Sequence, residues 1–359
     1  MTRVVHVVVA GEIGGAERML VELASREHSA EHVIALFTPS DGLRHLLRRA
    51  GLQVHDRGRV REGPLPFLWR SLGAQDVAWL VRVLHDEGAG VVHLHTFASQ
   101  VLGTRAARRA GLRVVRTEHS TRVYDDPSCW PFSRWSLART DAAVAVSEHV
   151  RAVALARAPW AADRMTVIPN GVDADHFAPR QGPAPAGFVF AVVGRLETRK
   201  GIDRAIDAIA SVPGARLEII GDGAERGALE SLARRRGVAE RVRFHGYVDD
   251  TRPVLSRARA VLCTSRSEGL GIALLEGMAM GLPVVGFAVG GVPEIVRDGE
   301  TGLLCPPDDA GALAEKMRRA TTLGSTLETM GAAARARVVE HFSVEAMCAG
   351  YARVYARLW

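Results

Sequence analysis

The feature that most constrains this chain is an alternation that runs its whole length, breaks once and starts again. Short apolar, β-branched runs at residues 4–9, 32–37, 91–94, 113–117, 142–146 and 165–168 read as strands. Helical stretches lie between them, for example 16–26, 77–85, 99–110 and 148–156. Strands that are apolar almost throughout, separated by helices, specify parallel sheets covered on both faces. The pattern resumes with strands at 188–193, 217–220, 242–244, 260–263 and 284–287 and helices at 201–210 and 227–236. The break at 175–187 holds Pro179, Pro183, Pro185, Gly182 and Gly187, the composition of a linker. An α/β protein of two doubly wound, Rossmann-like lobes is expected. Its lobes are 1–178 and 188–340, with a linker at 179–187. Ligands of such folds bind at the carboxyl ends of the strands, which would face a central cleft. After Pro306 the chain reads as helical, and the amphipathic segment 341–359 is expected to cross back onto the first lobe.

Length agrees with this division, since 359 residues exceed one ordinary core and suit two. The composition, 47% hydrophobic and 24% charged, is that of a globular protein and excludes a disordered chain. No apolar stretch reaches 18 residues, and the run at 4–9 reads as a buried strand, not a signal peptide. Cys129, Cys263, Cys305 and Cys348 show neither metal-ligand spacing nor a disulfide framework, so a reduced, cytoplasmic compartment is expected. The net charge is +6, and Lys200 and Lys316 are the only lysines. Thirteen arginines fall between residues 42 and 116. They read as solvated helix faces, or as a basic surface for anionic lipid at the inner face of a membrane or for a phosphate-bearing acceptor. No nucleic-acid-binding motif accompanies them, which sets nucleic acid aside.

Three segments carry chemistry. At 264–276 a strand ends, a glycine-containing turn follows, and a helix is expected to begin near Leu270. Gly269 and Gly271 remove side chains where the first amides of that helix point outward, an arrangement that binds anions. Glu268 precedes the helix and Glu276 lies two turns along it, too far apart for a paired-carboxylate site. At 193–201, Arg195 and Lys200 follow a strand end and a glycine, so two cations can reach one departing diphosphate. In the first half, Gly14 and Gly15 follow the first strand and would let backbone approach phosphate. A third glycine and a strand-ending acid are both missing there, so this is not a dinucleotide fingerprint and a dehydrogenase is disfavoured. His93, His95 and His119 lie at strand ends and compete for a role on the same side.

The segment from Glu268 to Glu276 resembles the Glu-x7-Glu signature of the family 4 glycosyltransferases. Gly290-Gly291-Val292-Pro293-Glu294 and Gly302-Leu303-Leu304 resemble that family's later turn motifs, and the likeness covers nearly the whole chain. It implies a GT-B fold and a retaining transfer of a hexose or N-acetylhexosamine from a nucleotide-diphosphate sugar. UDP is the favoured nucleotide, GDP the alternative, and no catalytic metal is implied. By the same resemblance Arg195 and Lys200 contact the donor phosphates, as do the backbone groups of Gly269, Leu270, Gly271 and Ile272. Glu268 and His119 then hold the sugar, Glu276 the ribose, and Tyr247 and Val248 the base. Gly14 and Gly15 belong to the family's N-terminal loop, and His95 would serve the acceptor side. The departing phosphate would take the acceptor's proton. A saccharide or lipid-linked acceptor for surface polysaccharide or glycolipid synthesis is expected. Asp173-Ala174-Asp175 mimics a metal-binding Asp-x-Asp but stands away from a strand-end turn. The competing readings are a nucleotide-sugar epimerase and a noncatalytic sugar-nucleotide-binding regulator.

Overall fold

The computed structural model describes residues 2–60, 64–182 and 187–359. Arg61 and Glu62 of the arginine-rich stretch, and residues 183–186 of the expected linker, lie outside the described residues. By contacts the chain divides into two units, Met1–Asn170 with Val344–Trp359, and Gly171–Ser343. The division falls ahead of the proline-rich segment because residues 171–178 are tied to the second unit. The Val172 amide donates to the Phe342 carbonyl at 2.9 Å, and Arg335 donates to the Ala174 carbonyl at 2.9 Å.

The first unit holds a parallel sheet built from β1 (Arg3–Val9), β2 (Glu31–Phe37), β3 (Gln53–Asp56), β4 (Ala89–Leu94), β5 (Arg113–Glu118), β6 (Ala142–Ala145) and β7 (Met165–Val167), in the order β3-β2-β1-β4-β5-β6-β7. The second holds β8 (Phe188–Val193), β9 (Ala215–Ile220), β10 (Val242–Phe244), β11 (Ala260–Cys263), β12 (Val284–Phe287) and β13 (Gly302–Cys305), also parallel, in the order β10-β9-β8-β11-β12-β13. Each order reverses once, between β1 and β4 and between β8 and β11. At such a point successive helices go to opposite faces and leave a crevice beyond the strand ends.

Two strands escape the periodicity. β3 is a half-exposed edge strand of mixed polarity, so it offers no apolar run. β13 is wholly buried, but its Gly302-Leu303-Leu304 reads as a turn motif when met after a glycine cluster.

Side-chain alternation divides the first sheet into two faces. Val5, Val7, Phe37, Val92, Leu94 and Val114 pack into an apolar cluster on one. On the other, Val8, Ile34 and Leu36 share their strands with His6 and His32, and the same parity in β4 and β5 selects His93 and Thr117. The helix Val344–Ala356 covers that polar stripe with two buried tyrosines. Tyr351 Oη lies 3.0 Å from Thr117 Oγ1, and Tyr355 Oη lies 2.8 Å from His93 Nδ1. Tyr355→Phe removes the partner of a buried ring nitrogen, and an orphaned buried polar group costs about 1–3 kcal/mol. A lower urea midpoint for the first unit's unfolding is expected, and an unchanged midpoint would show that the His93 contact is idle.

Candidate functional site

In the second unit the loops after β8 and β11 meet at the point where strand order reverses. Leu196 is fully buried and anchors the first loop, with its amide donating to the Asp222 carbonyl at 2.9 Å. A single turn of 3-10 helix, Thr198–Lys200, follows and stops at Gly201, whose φ is +59°. A Cβ at Gly201 would overlap the Thr264 carbonyl, so the loop can lie flat against the end of β11 only without a side chain there. Two hydrogen bonds then fasten the loops. Thr264 Oγ1 donates to the Lys200 carbonyl at 2.9 Å, and the Arg266 amide donates to the Arg199 carbonyl at 2.8 Å.

This clamp brings two expected site residues into contact. Lys200 Nζ lies 2.7 Å from Glu268 Oε2, which also accepts from Ser265 Oγ at 3.1 Å. Both side chains are mostly buried, so the pair is shielded and ordered. An ammonium carries three donors, so Lys200 can hold Glu268 and still donate to a phosphate oxygen. Arg195 approaches the same place from the other end of its loop, with Nη2 3.4 Å from Glu197 Oε1. Glu197 also accepts from Arg199 at 2.8 Å. Burial opposes its ionisation, but Arg195, Arg199 and Lys200 outweigh that and hold its carboxyl below the ordinary range. Sequence reasoning gave Glu197 no role. Its place between Arg195 and Arg199 was the available signal, since a carboxylate there aims and spaces both cations.

Glu268 is fixed from behind. Gly290 has φ +55°, and a Cβ on it would overlap the Glu268 carbonyl, to which the Gly291 amide donates at 3.1 Å. Leu270 is buried, and Gly271 caps the next helix with φ +98°. The helix therefore runs Ile272–Ala279, two residues later than expected, because the left-handed backbone of Gly271 cannot belong to it. Gly269 and Ile272 flank this entrance. Glu276 is buried one turn into that helix, eight residues beyond Glu268 in sequence. Tyr247, half exposed, and Val248 follow β10, the edge strand, and so stand along the same carboxyl edge but two strands from the reversal.

In the first unit the reversal lies between β1 and β4. The Gly14 amide donates to Glu17 Oε2 at 2.8 Å and closes the start of the helix Gly15–Arg26 directly after the β1 loop. His95 follows β4 and His119 follows β5, with their rings stacked at 5.8 Å between centroids. His93 is set apart, both its nitrogens being taken by Tyr355 and Thr117 at 2.8 Å. The three histidines that competed on sequence thus separate into one structural ring and two neighbours at the strand ends. Burial pushes His119 down to about 4 and pushes His6, His93 and His95 well below the ordinary imidazole value, aided in these three by neighbouring histidines.

One ring nitrogen each of His6, His93 and His95 lies within 4.8 Å of the others, the spacing of a possible metal centre. His6 Nδ1 stands 2.8 Å from His95 Nε2, a hydrogen-bond distance, and both His93 nitrogens are taken by Tyr355 and Thr117. Two nitrogens bound to a tetrahedral ion at about 2.0–2.1 Å stand roughly 3.3–3.4 Å apart. Asp173, of the Asp-x-Asp mimic, spends one carboxylate oxygen on the Asp175 and His176 amides.

Most described arginines of the first unit's basic stretch are engaged within the fold. Arg44 pairs with Asp41 and Asp56, Arg57 with Asp76, and Arg108 and Arg113 with Asp141. Arg116 is fully buried against Glu118.

Two nucleotide-fold units, each with glycine loops at its reversal and one with a lysine–carboxylate pair, define the GT-B class of sugar-nucleotide protein. Residues 13–176 match the family described as Glycosyltransferase Family 4, and residues 175–337 match Glycosyl transferases group 1. The chain is 30% identical to the alpha-maltose-1-phosphate synthase of Mycolicibacterium smegmatis, over 90% of this chain and 96% of that one. It is 35% identical to a glycogen synthase of Mycobacterium tuberculosis over 53% of its own length, and spans 48%, about half, of that relative. The crystal structure of Anabaena HepE in complex with UDP-glucose superposes with a TM-score of 0.87 at 23% identity, covering 99% of this chain and 100% of the other. The chain belongs to the family 4 glycosyltransferases.

Two outcomes follow from this geometry. Gly290→Ala would force the Glu268 backbone aside, and a loss of nucleotide-sugar affinity of about tenfold is expected by calorimetry without loss of the second unit's fold; unchanged affinity would mean Glu268 tolerates the shift. The depressed histidines bind protons more readily when unfolded, so the first unit's stability is full above about pH 6.5 and is lost as pH falls from there toward about 4. Urea midpoints between pH 7.5 and 5 should fall with pH, and a flat profile would contradict neutral buried rings.

Proposed function

We propose that this chain is a retaining glycosyltransferase that moves a hexose or N-acetylhexosamine from a nucleotide-diphosphate sugar to a hydroxyl acceptor. The observation that carries this reading is the Lys200–Glu268 pair, 2.7 Å apart at the strand-order reversal of the second sheet. A cation fixed beside a carboxylate suits a sugar diphosphate, whose phosphates need positive charge and whose sugar needs hydroxyl acceptors. The glycogen synthase likeness favours a saccharide acceptor, and the UDP-glucose bound by HepE favours a UDP-sugar over a GDP-sugar.

In this mechanism the acceptor oxygen attacks the anomeric carbon on the face that the diphosphate leaves, so configuration is kept. Arg195, Lys200 and the amides of Gly269, Leu270, Gly271 and Ile272 neutralise the departing diphosphate, without a catalytic metal. Glu268 accepts from sugar hydroxyls and Glu276 from ribose hydroxyls, while Tyr247 and Val248 flank the base. From the first unit, His119 is assigned a sugar hydroxyl and the Gly14–Gly15 backbone the diphosphate. The product is a surface polysaccharide or a glycolipid, and the basic first unit would attend an anionic, lipid-linked acceptor at the cytoplasmic face of the membrane.

A hydrolysis screen across nucleotide sugars identifies the donor, and NMR of the product's anomeric proton reports retention. Glu268→Ala and Lys200→Ala are each expected to lower turnover by about 100-fold or more with unchanged unfolding midpoints, the loss typical of a removed transition-state stabiliser. Turnover near wild type in either variant would defeat the assignment.

A further inference from the structure

At the amino edge of the second sheet, away from the loops that carry Lys200 and Glu268, the unit holds a groove of about 870 Å³. Small-molecule sites run from roughly 300 to 1,000 Å³. Arg259 and Pro283, which directly precede β11 and β12, line it together with Pro179, Arg180 and one side of the helix Ser325–His341. Arg259 and Thr264 stand on either side of β11, five positions apart along an extended strand, or about 16 Å. The groove and the Lys200–Glu268 pair therefore occupy opposite ends of one sheet.

Its lining divides into an aliphatic part and a cationic part. Leu255, Met280, Leu282 and Leu327 are buried beneath it, while Val339 is 50% exposed and is apolar surface that the fold leaves uncovered. Arg180 donates to the Ala258 carbonyl at 3.2 Å, and the Arg259 guanidinium lies over the Phe188 ring, 5.9 Å from its centre. Each contact orients a guanidinium and leaves it further N–H donors, since an arginine carries five. Arg335, the third arginine of the lining, is spent on the Ala174, Phe177 and Ala279 carbonyls. Two carboxylates also line the groove. Glu328, 65% exposed, stands 3.6 Å from Arg259, beyond hydrogen-bond range, and Glu340 is 72% exposed. Three arginines against two exposed glutamates leave the lining net cationic. Burial, and then the charge of Arg259, hold Arg180 below the ordinary guanidinium value, with Glu328 opposing them. Two like charges held close in a partly apolar setting are a cost that a bound anion removes.

Planar guanidinium forks match the oxygens of a phosphate monoester, which accept from them in parallel. A free phosphate would leave most of the volume and all of the aliphatic wall unused. Among the described lining residues no aromatic ring offers a face to a nucleobase, so the wall suits an alkyl chain better than a nucleoside. We propose that this groove binds an alkyl phosphate, with the phosphate on Arg180 and Arg259 and the chain along Leu282, Leu327 and Val339. The site is distinct from the one that holds the donor, and its assignment stands apart from the glycosyltransferase reading.

Calorimetry on the full chain with hexyl phosphate, inorganic phosphate and AMP tests it. Hexyl phosphate should bind at least tenfold tighter than inorganic phosphate, because the hexyl chain is removed from water. Arg180→Gln and Arg259→Gln should each weaken hexyl phosphate by about tenfold. Val339→Asp alters an exposed side chain, so the unfolding midpoint should hold while hexyl phosphate again weakens by about tenfold. Glu328→Gln removes a competing carboxylate and should tighten it by about threefold. Lys200→Ala should leave its affinity within twofold of wild type. Equal affinities for hexyl phosphate and inorganic phosphate would overturn the proposal, since the aliphatic wall would be idle. A loss found in Lys200→Ala but not in Arg180→Gln or Val339→Asp would overturn it by placing the phosphate in the donor loops. AMP bound tighter than hexyl phosphate and weakened by Arg180→Gln would overturn it by giving the groove to a nucleotide.

Discussion

The clamp between the loops after β8 and β11 is the contact on which the second unit's candidate site depends. The Lys200–Glu268 contact joins residues 68 positions apart, so local sequence alone does not bring them together. They meet because the Lys200 carbonyl is held by Thr264, the Arg199 carbonyl by the Arg266 amide, and Gly201 admits the close approach. Gly290 then fixes the other side of Glu268 by the same device, backbone against backbone with no side chain between. An ion pair made this way is rigid before any ligand arrives, so little ordering is left to be done on binding.

The first unit solves a different problem with the same topology. Its sheet buries an apolar face and a polar one, and the polar face must satisfy every ring nitrogen within itself. His93 does so through Tyr355 and Thr117, while His6 and His32 do so through a chain that ends on Glu27. Two nitrogens, His95 Nδ1 and His119 Nε2, are left without partners among the described residues, and both stand at strand ends. A buried orphan in the middle of a sheet would be a cost with no return. Both orphans here stand instead at the carboxyl edge of the sheet. The arginines tell a parallel story, since many that looked like a free basic surface are spent on Asp41, Asp56, Asp76, Asp141 and Glu118.

Much of this was legible along the chain. The alternation of strand and helix runs announced parallel sheets because burial on both faces demands uninterrupted apolar strands, and the restart after residue 187 announced a second unit. Arg195, Lys200, Glu268 and the glycines around them stood out as candidates because each lies in a loop that follows a strand end, where ligands of such folds bind. β3 was not, since an edge strand needs no apolar run, and β13 was hidden by a glycine-rich approach that looks the same in a turn.

What sequence by itself determined was the class of fold and the kinds of side chain at each strand end, both of which follow from periodicity and local backbone rules. Tertiary structure alone decided the partnerships. That Lys200 touches Glu268, that Glu197 sits between two arginines, that His93 is tied down while His95 is not, and that Glu27 stands behind His32 and His6 all depend on which strands lie side by side. Strand order is set by packing across the whole sheet, and no short-range pattern encodes it.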